Sequence, residues 1–180
     1  NYGPEGLAPG ATSLTNIANY EVANQVKPVA LDNSIVFLQQ KAGATDVYEL
    51  YPTGSSATSF EAQSIAEQVP TLLAGDPSKL TASALARCIM VQTTDDLSTI
   101  WVYKYYNKGR DRIQSAWMKY DMNCDSIKAM IYQDQDCYVV SARDIINGTS
   151  TSDYDKESLN LCKIKLDNTS TSDYSMDEWT

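Results

Sequence analysis

The segment from Arg87 to Asp121 constrains the fold of this chain most strongly, because its pattern predicts three β-strands joined by two polar turns. The strands are rich in β-branched and aromatic residues, which suit a pleated, half-buried surface. Asp95-Asp96 and Asn107-Lys108-Gly109 supply the turns, and Gly109 can adopt the positive φ that a tight turn needs. The segment therefore predicts a three-stranded antiparallel meander, the unit of sandwiches, barrels and propellers. The predicted strands are Cys88–Gln92, Ile100–Tyr106 and Ile113–Tyr120.

The same pattern recurs on both sides of this segment. Upstream, Ser34–Gln39 and Asp46–Tyr51 predict a hairpin around Ala42-Gly43-Ala44. Three further strands are predicted downstream, at Ser126–Gln133, Asp136–Ser141 and Leu159–Leu166. The recurrence indicates repeated antiparallel sheets, although it lies in the pattern and not in residue identity.

The two faces of the strand Ile100–Tyr106 indicate how such sheets are arranged. One face carries Ile100, Val102 and Lys104, and the other carries Trp101, Tyr103 and Tyr105. A sheet with one solvated face would alternate apolar and polar residues. Two half-apolar faces favour a sheet packed between neighbours, as in a propeller blade, and a sandwich strand covered by a loop would give a similar pattern. We predict a mainly β fold, with antiparallel meander blades of an incomplete β-propeller.

The rest of the chain is predicted from residues, such as Gly and Pro, that interrupt regular secondary structure. Residues 1–25 are expected to be a loop or linker, because their first part is rich in Gly, Pro and Ser and has no periodicity. Residues 26–180 would hold about three blades, whereas a propeller needs roughly four to eight, so we expect a segment of a larger protein. Val26–Ala30 predicts an edge strand, since Pro28 disfavours a central one.

One short helix is predicted over Ser59–Val69. Ser59 could cap its first turn, Glu61 lies within that turn, and Pro70 would end it. No other segment of the chain gives a credible helical pattern.

Charge and composition exclude several function classes. The chain has 14 basic and 23 acidic residues and a net charge of −9, which opposes tight binding to a polyanion. Basic residues are in excess only over 101–133. The absence of His removes the usual general base and excludes His-based triads. Neither a phosphate-binding loop nor a dinucleotide fingerprint occurs, and no apolar run approaches the ~20 residues of a membrane span.

Paired acids invite comparison with a glycosidase site. The pairs are Asp95-Asp96, Asp134 with Asp136, and Asp153 with Asp155. Acid catalysis on sugars needs two carboxylates opposed across a cleft at about 5–10 Å, and neighbours in a turn do not provide that separation. Asp is also a preferred turn residue. We therefore predict turns at these positions, no catalytic residues, no metal site and no cofactor.

The four cysteines are predicted to be small buried hydrophobic residues. No CxxC pair exists, and no His is present to complete a zinc site. A Cys124–Cys137 disulfide is the exception to test, because a hairpin could bring these two residues together. The cysteines are Cys88, Cys124, Cys137 and Cys162.

A basic group interleaved with aromatic residues is the candidate binding surface. The simplest interpretation is a solvated hairpin tip partly neutralised by Asp111. A subunit contact with an acidic neighbour, or stacking of nucleic-acid bases on the aromatic rings, are the other interpretations. The basic residues are Lys108, Arg110, Arg112 and Lys119.

Three stretches of the chain have a distinctive order. The first is Val26–Ala30 followed by Asn33–Leu38, and the second is Ile65–Pro70. The third is Ile-Trp-Val-Tyr-Lys-Tyr at 100–105 followed by Gln-Ser-Ala-Trp-Met-Lys-Tyr-Asp at 114–121. Together they resemble the tail tubular protein B, or nozzle, family of short-tailed podophages. The family has a "hydrophobic-Tyr-Lys-aromatic" strand before a "Gln-Ser-Trp" strand at about this spacing. The resemblance covers roughly residues 26–166.

The resemblance implies a structural, non-catalytic subunit of the virion tail that contains a β-propeller. Six such subunits would form a tapering tube below a ring of adaptor subunits, with tail fibres attached near that junction. Double-stranded DNA would pass through the tube during ejection without tight binding. The alternative is an extracellular β-rich carbohydrate-binding or adhesion module, which the glycosylation patterns Asn147-Gly148-Thr149 and Asn168-Thr169-Ser170 keep open.

Overall fold

The computed structural model describes residues 20–53, 60–108, 111–144 and 157–166, which form three antiparallel sheets. The first sheet consists of β1 (Val29–Leu31), β2 (Ser34–Lys41), β3 (Ala44–Pro52) and β4 (Phe60–Ser64). The second consists of β5 (Pro77–Ser83), β6 (Cys88–Thr93), β7 (Thr99–Lys108) and β8 (Asp111–Asp121). The third consists of β9 (Ser126–Gln133), β10 (Asp136–Asp144) and β11 (Glu157–Lys165). The predicted mainly β, antiparallel class is confirmed. Strand order within each sheet follows the chain.

The second sheet confirms the meander predicted for residues 87–121. Val102 lies opposite Met90 on one side and opposite Met118 on the other. β7 extends through Lys108, which pairs with Asp111, so Lys108 belongs to the strand and not to the turn. β5 pairs with β6 and adds a fourth strand at the edge.

The first sheet contains the predicted hairpin of β2 and β3. Its turn uses positive φ at both Ala42 (44°) and Gly43 (85°). The edge strand predicted at Val26–Ala30 forms three residues later, as β1 at Val29–Leu31. Pro28 therefore precedes the strand, where its missing N–H costs no ladder hydrogen bond.

The predicted helix over Ser59–Val69 is wrong. Residues 60–64 form β4, whose backbone pairs with β3 from Tyr48 to Pro52. At its end, the Ser64 hydroxyl binds the Asp46 carboxylate at 2.6 Å and accepts the Ala66 amide at 3.3 Å. An isolated helix of this length is marginal because its nucleation is costly, whereas an open sheet edge satisfies the same backbone groups.

The third sheet confirms the downstream strand series. β10 is its central strand, with β9 and β11 on either side. A bulge between Val140 and Ser141 shifts the register with β9 by one residue. Ala129 lies opposite Val140 and Ile127 opposite Ser141, so the extra residue at the bulge, Lys128, falls between two register pairs.

Two separate cores place the second sheet between the other two. Val36 and Val47 of the first sheet share one core with Ile89 and Val91 of the second. Met90, Ile100 and Val102 share the other core with Cys137 and Val139 of the third. All six residues of β6 are buried. The inference that both faces of the β7 strand pack against neighbours is confirmed.

The first strands of the three sheets lie next to one another. β5 contacts both β1 and β9, and β2 also contacts β5. Hydrogen bonds join β5 to the third sheet, from the Tyr132 amide to the Thr81 hydroxyl at 3.1 Å and from the Ser83 hydroxyl to the Asp134 carbonyl.

Candidate functional site

Arg112 of β8 forms the main ionic contact between the first and second sheets. Its Nη1 lies 2.7 Å from a carboxylate oxygen of Glu49 on β3, and the two side chains are only 26% and 13% exposed. Burial of the guanidinium opposes its charge, but the bond to Glu49 raises the pKa of Arg112 on balance. The guanidinium carbon lies 4.7 Å from the Tyr105 ring centre and 5.6 Å from that of Tyr103.

Trp117 of β8 makes a second contact on the side of the first sheet. Its indole N–H donates to the Ile65 carbonyl at 3.1 Å. Its ring lies 5.0 Å from that of Tyr103, at an interplanar angle of 50°. Trp117 therefore holds the segment that follows β4, whereas Arg112 of the same strand binds β3.

Lys119 lies at the opposite end of β8 from Arg112. Its Nζ is 3.3 Å from Asp96 in the turn between β6 and β7. Asp96 also accepts hydrogen bonds from the hydroxyls of Thr99 at 2.7 Å and Ser98 at 3.0 Å. These hydrogen bonds, that from Thr99 first, hold the pKa of Asp96 below its usual value.

The structure thus divides the predicted basic group. Lys108 and Arg112 lie at one end of the second sheet, and Lys119 lies at the other. Arg112 is not part of a solvated tip, because it is held between two sheets. Lys108 is exposed, and Arg110 lies outside the described residues. A role of these residues in a subunit or DNA contact stays a prediction.

Arg87 is a cation at the Lys108 end that the sequence patterns did not select. It has a positive φ of 50° in the turn before β6. Its guanidinium carbon lies 4.9 Å from the ring centre of Tyr106, which is 47% exposed. The pairing of β6 with β7 brings these two residues together, and no sequence spacing indicates it.

Two of the three acid pairs lie within the described residues, in turns and at a strand end. Asp95 and Asp96 occupy the β6–β7 turn, as predicted. Asp134 has a φ of 57° in the β9–β10 turn, and Asp136 forms a 2.8 Å ion pair with Lys163. The pair at 153 and 155 lies outside the described residues. Within the part of the chain that the structure describes, no group of three or more His, Cys, Asp or Glu side chains could hold a metal ion.

All four cysteines are free thiols, so the Cys124–Cys137 disulfide that was left open as an exception does not form. Cys137 lies opposite Tyr132 near the β9–β10 turn, whereas Cys124 precedes β9 at the other end of the hairpin. Cys88 and Cys137 are buried, which confirms the prediction of small buried residues for these two. Burial raises the pKa of Cys88 to about 11 and that of Cys137 to about 12.

These features define the class of the protein as all-β in its described part, with stacked antiparallel meanders linked by ion pairs and aromatic contacts. Within the same residues, no helix is long and apolar enough to cross a membrane.

The family model of the bacteriophage nozzle protein matches residues 3–178, and the chain belongs to this family. It is a structural subunit of a phage tail nozzle and a component of the virion tail. A search among individual curated proteins gave no significant match.

Proposed function

We propose that this nozzle subunit forms a ring, with six copies, around the channel through which double-stranded DNA leaves the virion. The family match over residues 3–178 is the observation that carries the proposal. Closed cyclic symmetry is the usual way in which identical subunits build a tube. The match also favours a tail subunit over the carbohydrate-binding alternative.

The sheets are proposed to be blades of a β-propeller within a larger polypeptide. Adjacent first strands and a middle sheet that is apolar on both faces support this arrangement. So does the outer face of the third sheet, where Ile131, Leu159 and Leu161 are 64%, 62% and 68% exposed. A solvated face would carry polar residues, so a further blade is the proposed neighbour of this face.

The channel is proposed to be passive toward DNA. Binding to DNA rests mainly on the neutralisation of phosphates by Lys and Arg, and this chain carries a net charge of −9. We expect dissociation constants for duplex DNA weaker than about 10⁻⁴ M at physiological salt, at the weak limit of non-specific binding. The subunit is also proposed to have no catalytic activity, and to contact a tail adaptor ring and tail fibres.

Native mass spectrometry of the purified protein, alone and with its adaptor ring, tests the assembly. Six-fold complexes are expected, and a monomer under both conditions would contradict the ring. Fluorescence anisotropy with labelled duplex tests the passive channel. Micromolar affinity for the duplex at physiological salt would overturn that part of the proposal.

A further inference from the structure

β8 leaves one long edge of the second sheet open, and its sequence is complementary to itself in antiparallel pairing. We propose that two copies of the subunit, before they enter the tail, pair through this edge in a two-fold contact of β8 with β8. The inference does not depend on the ring proposed above, because a two-fold contact between identical strands closes with two copies.

The hydrogen-bond pattern shows which backbone groups of β8 face the open edge. β8 is the last strand of its sheet, and within the described residues no strand pairs with its other side. The Tyr105 amide donates to the Arg87 carbonyl at 3.1 Å, so the backbone groups of Tyr105 point toward β6. This direction alternates along a strand and is shared by residues that lie opposite each other. Ser115, opposite Tyr105, therefore points its N–H and C=O away from β7, as does Trp117.

The middle of β8 is accessible from both faces of the sheet. The four consecutive residues Ile113–Ala116 are all exposed, and successive residues of a strand point to opposite faces. The stretch Ile113–Met118 also contains no charged residue, and charges are a usual protection of an open edge against pairing. A second strand can therefore reach the open backbone groups of this stretch.

The antiparallel register centred on Ser115 gives favourable pairs along the whole contact. Ser115 then lies opposite Ser115 of the other copy, and Trp117 of each strand lies opposite Ile113 of the other. Pairs of aromatic and β-branched residues stabilise antiparallel sheets. Farther out, Lys119 of each copy approaches Asp111 of the other, so opposite charges meet at both ends. The bulge beside Ile113 ends the regular ladder, so these charges form the rim of the contact.

The neighbouring registers are less favourable. A register centred on Ala116 sets Asp111 of each copy against Asp121 of the other, and like charges opposite each other destabilise a sheet. A register centred on Trp117 sets Lys119 opposite Ser115 and forms neither ion pair. A second copy is therefore the partner that this edge fits, because β8 supplies an uncharged middle with one acid and one base at its ends.

Two substitutions at Ser115 test the pairing in the purified protein. S115K sets two lysines opposite each other at the two-fold axis and should weaken dimerisation about fivefold or more at low salt. S115P removes an N–H that faces the open edge, so it should also weaken dimerisation while the subunit stays folded. Analytical ultracentrifugation measures the dimer, and circular dichroism checks the fold.

Two controls separate this edge from others and check the backbone directions. Q63K places the same charge at an exposed position of the edge strand β4 and should leave dimerisation unchanged. A116P removes an N–H that faces β7 and should destabilise the subunit more than S115P does. The reverse order of stability would contradict the assigned directions. In the wild type, hydrogen exchange at the Ser115 and Trp117 amides should slow as the protein concentration rises.

The outcomes distinguish this contact from the ring. Free wild-type protein that forms no dimer at any concentration, or a dimer that both Ser115 substitutions leave unchanged, overturns this contact and leaves the ring standing. A wild-type protein that dimerises but forms no six-fold complex with the adaptor ring contradicts the ring alone. Folded S115K should still form that complex. If S115K loses both the dimer and the six-fold complex, β8 belongs to the ring contact and its assignment to the free subunit is wrong.

Discussion

The guanidinium of Arg112 lies 2.7 Å from the carboxylate of Glu49, and this pair joins the last strand of the second sheet to the third strand of the first. Both side chains are largely withdrawn from solvent, so each depends on the other to balance its charge. The same guanidinium packs on Tyr105, which makes the pair part of the aromatic contact between the two sheets. Arg112 therefore stabilises the subunit through contacts within it.

Replacing Arg112 with Ala should lower the free energy of unfolding by about 2–4 kcal/mol, because Glu49 would stay partly buried without a cation. Urea denaturation measures the loss. The control is K119A, which breaks the pair with Asp96, whose side chains are 50% and 39% exposed. That loss should not exceed about 1 kcal/mol. Equal losses for the two variants would contradict the role assigned to Arg112.

Gly75→Ala should be more destabilising than Gly43→Ala. Both positions have positive φ, 88° and 85°, so each change carries the strain of a left-handed backbone. A Cβ at Gly75 would also lie 2.6 Å from Asp95 Oδ1 and 2.7 Å from the Asp95 amide nitrogen, whereas nothing lies within 4 Å at Gly43. We expect a loss of about 1 kcal/mol at Gly43 and at least twice that at Gly75. Thermal unfolding of both variants checks this order.

Stability should fall in acid partly through Asp96. Hydrogen bonds, that from Thr99 first, lower the pKa of this group from 3.8. A carboxylate with a depressed folded pKa stabilises the protein fully above its unfolded pKa, and this contribution disappears as the pH falls through the folded pKa. The stability difference between wild type and D96N should therefore be largest near neutral pH and shrink below pH about 4. Urea midpoints across this range measure it, and a pH-independent difference would refute the assignment.

Thiol reagents should separate the four cysteines into two classes. Cys88 and Cys137 are both 0% exposed, and burial raises their pKa to about 11 and about 12. Since the thiolate is the reactive species, both should resist modification in the folded protein at pH about 8. Cys124 and Cys162 are partly exposed and should react first. Mass spectrometry of labelled peptides identifies the sites, and C162S should remove one fast-reacting group. Rapid native labelling of Cys137 would show that the core between the second and third sheets opens.

The local pattern of residue types along the sequence was sufficient to predict most strands of this protein. β6, β7 and β8 were predicted from runs of β-branched and aromatic residues between polar turns, as were β2, β3 and the strands of the third sheet. The presence of apolar residues on both faces of β7 also predicted that its sheet is packed between neighbours. The positions of these strands and the character of their faces depend on residues that are close in sequence, so they can be predicted without the tertiary structure.

β4 and the basic group depended on residues distant in sequence. The segment 60–64 has a weak helical pattern, but β3 offers it an unpaired edge, and the backbone hydrogen bonds of that pairing prevail. Arg112 and Lys119 are both basic residues of β8, yet sheet packing pairs Arg112 with Glu49 and Lys119 with the partly exposed Asp96. A hairpin could have brought Cys124 and Cys137 together, but the strand register places them at opposite ends of it.

The sequence by itself therefore determined the class of structure, the strands and, through its family resemblance, the membership in a tail nozzle. The tertiary structure decided which charges remain at the surface and where they cluster. The physical reason is that strand formation depends on local backbone preference and side-chain alternation, whereas the burial of a charge depends on which partner the packing of separate sheets brings within a few ångströms.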